Sequence, residues 1–148
     1  MTSPCARDAI AGHHQEQLQM TGFIAAVAIM IGVSATHVSV IDGDTIRIGT
    51  EHVRLLGIDA PELHRCPRYR HCAPGDPVAS RRNLQRILSG RITISRGPLD
   101  RYGRTLAHVY ANGRNVACAQ LAAGMAIYRE DWDNGQRLRE ECPAFTRP

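Results

Sequence analysis

Three short stretches of the chain set charge beside glycine or proline: Val40-Ile-Asp-Gly-Asp-Thr-Ile46, Val53-Arg-Leu-Leu-Gly-Ile-Asp-Ala-Pro-Glu62 and Asp100-Arg-Tyr-Gly-Arg-Thr105. Hard divalent cations prefer carboxylate and carbonyl oxygens, so Asp44, Asp59 and Glu62 are candidates for one site. An attacking water also needs a base, and a glutamate set slightly off the ion suits that role. A phosphodiester passing to a five-coordinate transition state gains negative charge on its equatorial oxygens. The guanidinium forks of Arg54 and Arg104 are suited to neutralise that charge through bidentate hydrogen bonds. Taken singly, each stretch has a plainer reading. Asp-Gly-Asp is a common turn, Pro61-Glu62 starts turns, an arginine in a strand is usually exposed, and Tyr102-Gly103 packs loops. Their joint occurrence in this order makes the case.

Those side chains need a scaffold that brings them together. Period-two patterning predicts strands over Thr36–Ile41, Thr45–Ile48 and Glu51–Ile58, with turns at Asp42-Gly43-Asp44 and Gly49-Thr50. Residues 60–76 hold three prolines and two cysteines and read as a long loop. A loop of that length in a small domain is usually functional or cross-linked. Asp76-Pro77 marks a helix start, and the helix runs to about Ser89 with Leu84, Ile87 and Leu88 on one face. Arg91–Arg96 and Thr105–Ala111 follow as strands, Asn112-Gly113 as a hairpin turn, and Ala117–Ala123 as a short helix. A short strand and a helix over Gln136–Cys142 complete the order. Five strands with helices interposed predict an α+β, mainly β, fold: a small closed barrel with about three helices. Arg54 and Asp59 are five positions apart, roughly 16 Å along a straight strand. The strand must therefore curl for both to meet one phosphate, and Gly57 between them makes a bend cheap.

The three stretches, at this order and spacing, resemble the staphylococcal nuclease (thermonuclease-like) family from about Thr36 to Arg129. The resemblance rests on Ile41-Asp-Gly-Asp-Thr45, Arg54-Leu-Leu-Gly-Ile-Asp-Ala-Pro-Glu62 and Asp100-Arg-Tyr-Gly-Arg104. It implies a five-stranded OB-type barrel capped by helices and calcium-dependent cleavage of DNA and RNA. Carried over position by position, Asp44 and Asp59 resemble calcium-binding carboxylates, and the backbone carbonyl of Ala60 resembles a third ligand. Glu62 resembles the residue that activates or orients the water, and Arg54 and Arg104 the phosphate-binding pair. By the same resemblance Asp42 and Thr45 support the metal shell, while Tyr102 and Tyr128 contact the nucleotide. Two departures stand out. Residue 60 is alanine where the archetype has threonine, which spares a carbonyl ligand but not a hydroxyl contact. The C-terminal segment is also shorter than the archetype's helix.

Composition agrees with a globular, basic body. The chain has 148 residues, 43% of them apolar and 22% charged, which excludes a wholly disordered protein. Only 5% is aromatic, so the core must be aliphatic. Residues 36–148 hold 17 of the 18 arginines against 12 of the 14 acids, and lysine is absent. A basic body favours polyanionic partners, here a DNA or RNA substrate, and nothing in it argues against a monomer.

Residues 1–35 read as a polar segment followed by an apolar one, with 36–142 as the nuclease domain and 143–148 as a tail. The apolar run Phe23–Val33 is 11 residues long. As a helix it spans roughly 16 Å against the ~30 Å hydrocarbon core. Its length matches a signal-peptide core, and Val33-Ser34-Ala35 resembles a cleavage site. The polar stretch before Met20 and its single Arg7 fit that pattern poorly. The expectation is an exported protein, periplasmic or secreted, freed or tethered to the membrane through residues 20–35; the alternative is a packed cytosolic helix. Removing that segment leaves four cysteines, an even number that predicts two disulfides in an exported domain. Proximity favours Cys66–Cys72 and Cys118–Cys142. The rival reading makes His64, Cys66, His71 and Cys72 zinc ligands, but their spacing fits no common zinc pattern. The cysteine-bearing loop at 64–76 resembles that of proteobacterial exported family members, which also implies disulfides. Two other function classes compete with a nuclease: a catalytically idle OB-type nucleic-acid-binding module, and a membrane-tethered interaction protein.

Overall fold

Alternating apolar side chains drive residues 38–55 into three consecutive antiparallel strands. A computed structural model of the chain describes residues 37–147. It shows β1 (Val38–Val40), β2 (Thr45–Ile48) and β3 (Glu51–Leu55), followed by a two-residue strand β4 (Ile58–Asp59). Helix α1 (Pro77–Ile87) leads to β5 (Ile92–Leu99), β6 (Thr105–Ala111) and the short β7 (Arg114–Asn115). Then come α2 (Val116–Ala122), β8 (Ile127–Tyr128), two 3-10 turns at Glu130–Trp132 and Asn134–Gln136, and α3 (Arg137–Glu141). The main sheet runs β1-β2-β3-β6-β5, with β3 and β6 parallel and the other pairs in this order antiparallel. This is the five-stranded OB-type order with three α-helices, an α+β fold that is mainly β. The N-terminal segment, its apolar run, the tether and Cys5 lie outside the described residues.

The core is aliphatic, as the composition requires. Ile46, Val53, Leu55 and Val109 from the strands meet Leu84, Val116 and Leu138 from the helices, all 2% exposed or less. Fully burying each such side chain contributes roughly 1.5–3 kcal/mol. Asp76 caps α1, its Oδ1 accepting from the backbone N–H of Val78 at 2.8 Å and of Ala79 at 3.2 Å, with Pro77 in the first turn.

The expected third strand is two. β3 ends at Leu55, and the chain turns through Leu56-Gly57 before β4. Gly57 has φ +74°, and a Cβ there would sit 2.8 Å from the Leu138 side chain. Its N–H donates to the Trp132 carbonyl at 3.1 Å, and its carbonyl accepts from the Arg129 N–H at 2.9 Å. The break is therefore fixed by the C-terminal segment, which also supplies β8 as the partner of β4. The fourth long strand extends to Leu99, past the expected end at Arg96, through a register shift between those two residues.

Both predicted disulfides are present. Cys66–Cys72 closes a short loop after β4, with Cα atoms 6.0 Å apart. Cys118–Cys142 ties α2 to the end of α3, with Cα atoms 5.8 Å apart. With Cys66 and Cys72 oxidised, the zinc alternative has no thiolates to use.

Candidate active site

The Asp42-Gly43-Asp44 turn is positioned from beneath by the helices. A Cβ at Gly43 would lie 2.0 Å from the Ser80 hydroxyl and 2.7 Å from the Ala60 Cβ, so only glycine lets α1 approach this closely. The buried Gln120 side chain of α2 donates to the Gly43 carbonyl at 2.6 Å and to the Ser80 carbonyl at 3.2 Å. Its Oε1 accepts from Asn83 Nδ2 at 2.5 Å. The turn is thereby anchored to two helices through satisfied buried polar groups.

Above that anchor the acids meet Arg54. Arg54 Nη1 donates to Asp44 Oδ1 at 2.5 Å, and Nη2 lies 3.5 Å from Asp59 Oδ1. Thus the turn at Gly57 does bring positions 54 and 59 together. Thr45 Oγ1 also donates to Asp44 Oδ1, at 2.9 Å, and the Ala60 N–H donates to Asp44 Oδ2 at 2.9 Å. Asp42 Oδ1 accepts from the Asp44 N–H at 3.1 Å, closing the turn. Burial, followed by the neighbouring Asp44 charge, pushes the Asp42 carboxyl up to about 6. Asp59 is fully buried, and its pKa is raised by that burial, against the pull of Arg70 and with the push of Asp44.

Arg104 comes from the far side. Asp100 Oδ1 accepts from the N–H groups of Tyr102 and Arg104 at 2.8 and 2.9 Å, folding the 100–104 turn. Asp100 Oδ2 then takes the Arg104 guanidinium at 2.7–2.8 Å. Burial opposes the charge on Asp100, but hydrogen bonds from Arg104 and Tyr102 outweigh it and hold the carboxyl below the usual range. Arg54, Arg104 and Tyr102 all line one cavity of about 650 Å³, with Arg70, Tyr69 and Trp132.

The structure does not assemble every candidate. Glu62 meets Asp59 only through Arg70, whose Nη1 is 2.9 Å from Glu62 Oε1 and whose Nη2 bonds Asp59 Oδ1. Among the described residues, no three His, Cys, Asp or Glu side chains form a ready-made metal cage. Asp44 and Asp59 nevertheless fit one or two positions of a hard cation. Their donors are all oxygen, and the buried Asp59 Oδ2 has no hydrogen-bond partner. Tyr128 stands apart from the main cavity. Its hydroxyl donates to Asp133 Oδ2 at 2.9 Å, and it lines a separate cavity with Leu121 and Phe145. Burial and that carboxylate push its phenol up to about 12. Its hydroxyl thus joins β8 to the C-terminal turn.

Sequence reasoning missed Arg70 and Trp132. The guanidinium carbons of Arg54, Arg70 and Arg129 lie 5.2, 5.5 and 4.3 Å from the Trp132 ring centre. An arginine enclosed between two cysteines of a long loop, and the chain's single tryptophan, were the available signals.

The chain is similar in sequence to known proteins. The family model described as "Staphylococcal nuclease homologue" matches residues 52–144. The chain is 39% identical over 117 residues to the Thermonuclease of Staphylococcus intermedius, covering 70% of this chain and 65% of that protein. It is 35% identical over 102 residues to Endonuclease YncB of Bacillus subtilis, covering 64% and 47%. It is also 36% identical over 94 residues to the SPbeta prophage-derived endonuclease YokF of Bacillus subtilis, covering 58% and 31%. The chain thus spans between about a third and two thirds of the length of these relatives.

Proposed function

Since the chain belongs to the staphylococcal nuclease family, we propose that it is a calcium-dependent nuclease that hydrolyses phosphodiester bonds in DNA, RNA or both. The observation that carries this reading is Arg54, which lines a cavity together with Arg104 and from its wall bonds both Asp44 and Asp59. Asp44, Asp59 and the Ala60 carbonyl would hold calcium, which when bound supplies Lewis-acid polarisation of a phosphate oxygen. Glu62, about a third exposed, accepts the proton of the attacking water. As the water oxygen bonds to phosphorus and the P–O ester bond breaks, N–H groups of Arg54 and Arg104 donate to the oxygens that gain charge. Tyr102, 63% exposed at the cavity rim, offers a face for a nucleobase.

Two disulfides support an oxidising compartment, and with it the exported reading of the chain. The test is incubation of the purified protein with plasmid and single-stranded DNA, in calcium and in chelator. Cleavage in calcium only is expected. Arg104→Ala should lower turnover by about 10²–10³-fold or more, as removal of a transition-state donor does, while leaving the fold intact. Near-normal activity in that variant, or binding without cleavage by the wild type, would overturn the reading; the latter outcome describes an idle nucleic-acid-binding module.

A further inference from the structure

The loop after β4 ends its course by placing a third arginine against the acids. Cys66 and Cys72 are cross-linked, and the Arg70 N–H donates to the Pro67 carbonyl at 3.1 Å, so the enclosed residues form a closed turn. From it Arg70 reaches back 11 positions to Asp59 and 8 to Glu62, touching both carboxylates with separate nitrogens. Trp132 lies under its guanidinium.

We propose that Arg70 is a positioning residue of the reaction site, delivered by the Cys66–Cys72 cross-link to orient the carboxylates of Asp59 and Glu62. Among the described residues, Arg70 is the only ion-pair partner of Glu62. A partly exposed glutamate without such a partner samples many rotamers, and a base must be held in place to be effective. Arginine's rigid fork spans two carboxylates, whereas a lysine ammonium offers a single point of charge. The tryptophan face limits the plane of the fork, and the disulfide limits the backbone that carries it. Arg70 touches Glu62 and Asp59 with separate nitrogens, which places it to act through those two carboxylates.

The inference rests on the nuclease reading, and its test separates the two. Full-length Arg70→Ala, Arg70→Lys and Cys66→Ser/Cys72→Ser variants are assayed on a single-stranded oligonucleotide in calcium. Arg70→Ala should lower kcat by about tenfold or more, with KM changed by less than about threefold. Arg70→Lys should not restore the rate, while millimolar guanidinium ion added to Arg70→Ala should restore part of it. The cysteine pair variant should lose rate in the same direction, and adding Arg70→Ala to it should cost little more, because both act through one side chain. Unchanged kcat in Arg70→Ala, a loss confined to KM, no rescue by guanidinium, or losses that multiply would each overturn the proposal while leaving the nuclease reading standing. A wild type that cleaves nothing would overturn both.

Discussion

Replacing Gln120 tests whether the helices hold the acidic turn in place. Gln120→Leu roughly preserves side-chain volume but removes the amide that joins Gly43, Ser80 and Asn83. The Ser80 carbonyl keeps its place in the α1 ladder, so two polar groups lose this partner: the Gly43 carbonyl and the Asn83 amide. Each buried group left unsatisfied costs about 1–3 kcal/mol, which makes the expected loss of stability about 2–6 kcal/mol. For a domain of this size that corresponds to a melting point lower by roughly 10 °C or more. The turn should also shift, and misplacement by about 1 Å can cost on the order of 10²-fold in rate. Urea unfolding followed by the fluorescence of Trp132 measures the first effect. Cleavage well below the melting temperature measures the second. The double variant with Asn83→Leu should be less destabilised than the two single losses combined, since the partners are in contact. A Gln120→Leu protein within about 0.5 kcal/mol of wild type would refute the anchoring argument. So would a destabilised variant with full activity.

Two further outcomes follow from groups outside the site. His108 on β6 is buried, its Nδ1 has no partner, and burial, with Arg137 nearby, depresses its pKa against the opposing pull of Glu141 and Asp133. The unfolded chain therefore takes a proton near pH 6.5 that the folded chain refuses. Stability should fall as pH drops from about 6.5 toward the lower folded value, and His108→Leu should flatten that slope in unfolding curves collected across the range. Among the cross-links, the 24-residue separation of Cys118–Cys142 exceeds the 6-residue separation of Cys66–Cys72. By loop entropy the longer bridge should contribute about 3.5 kcal/mol and the shorter about 2.4 kcal/mol. Serine replacement of each pair, compared by denaturation, should reproduce that order.

Legibility of the sequence followed the range of the forces involved. β2, β6, the Asp76-Pro77 helix start and the turn at Asn112-Gly113 are dictated by neighbours a few positions away, and they stand where local patterning puts them. The break at Leu56-Gly57 was only half visible. Gly57 advertised a bend, but the carbonyl of Trp132 and the side chain of Leu138 decide that the strand stops there. Gln120 reads as an ordinary polar residue of a short helix; its role exists only because α1 and the acidic turn pack against it. Arg70 lies in a stretch without periodicity, and its position is set by Trp132 and two distant acids. The place of Tyr128 is likewise set at long range, by the pairing of β8 with β4 and by the bond from its hydroxyl to Asp133.

The two arginines assigned to the phosphate differ in what else they hold. Arg54 has 11% of its side chain exposed, and it lies between Asp44 and Asp59 with Trp132 beside it. Arg104 is 26% exposed and bonded to Asp100 alone among the acids. Removing Arg54 leaves two carboxylates of like charge buried without their common counterion, although Asp59 keeps Arg70. Breaking a buried network in this way costs about 3–5 kcal/mol. Removing Arg104 costs less, because Asp100 Oδ1 keeps the backbone N–H donors of residues 102 and 104. Both alanine variants should be inactive, so an activity assay cannot separate them. Unfolding in chelator should, with Arg54→Ala far less stable than wild type and Arg104→Ala close to it. Equal stability of the two variants would mean that the acids do not depend on Arg54 for their arrangement. In that case the cavity's geometry would have to come from the Gln120 anchor and the Arg70 loop alone.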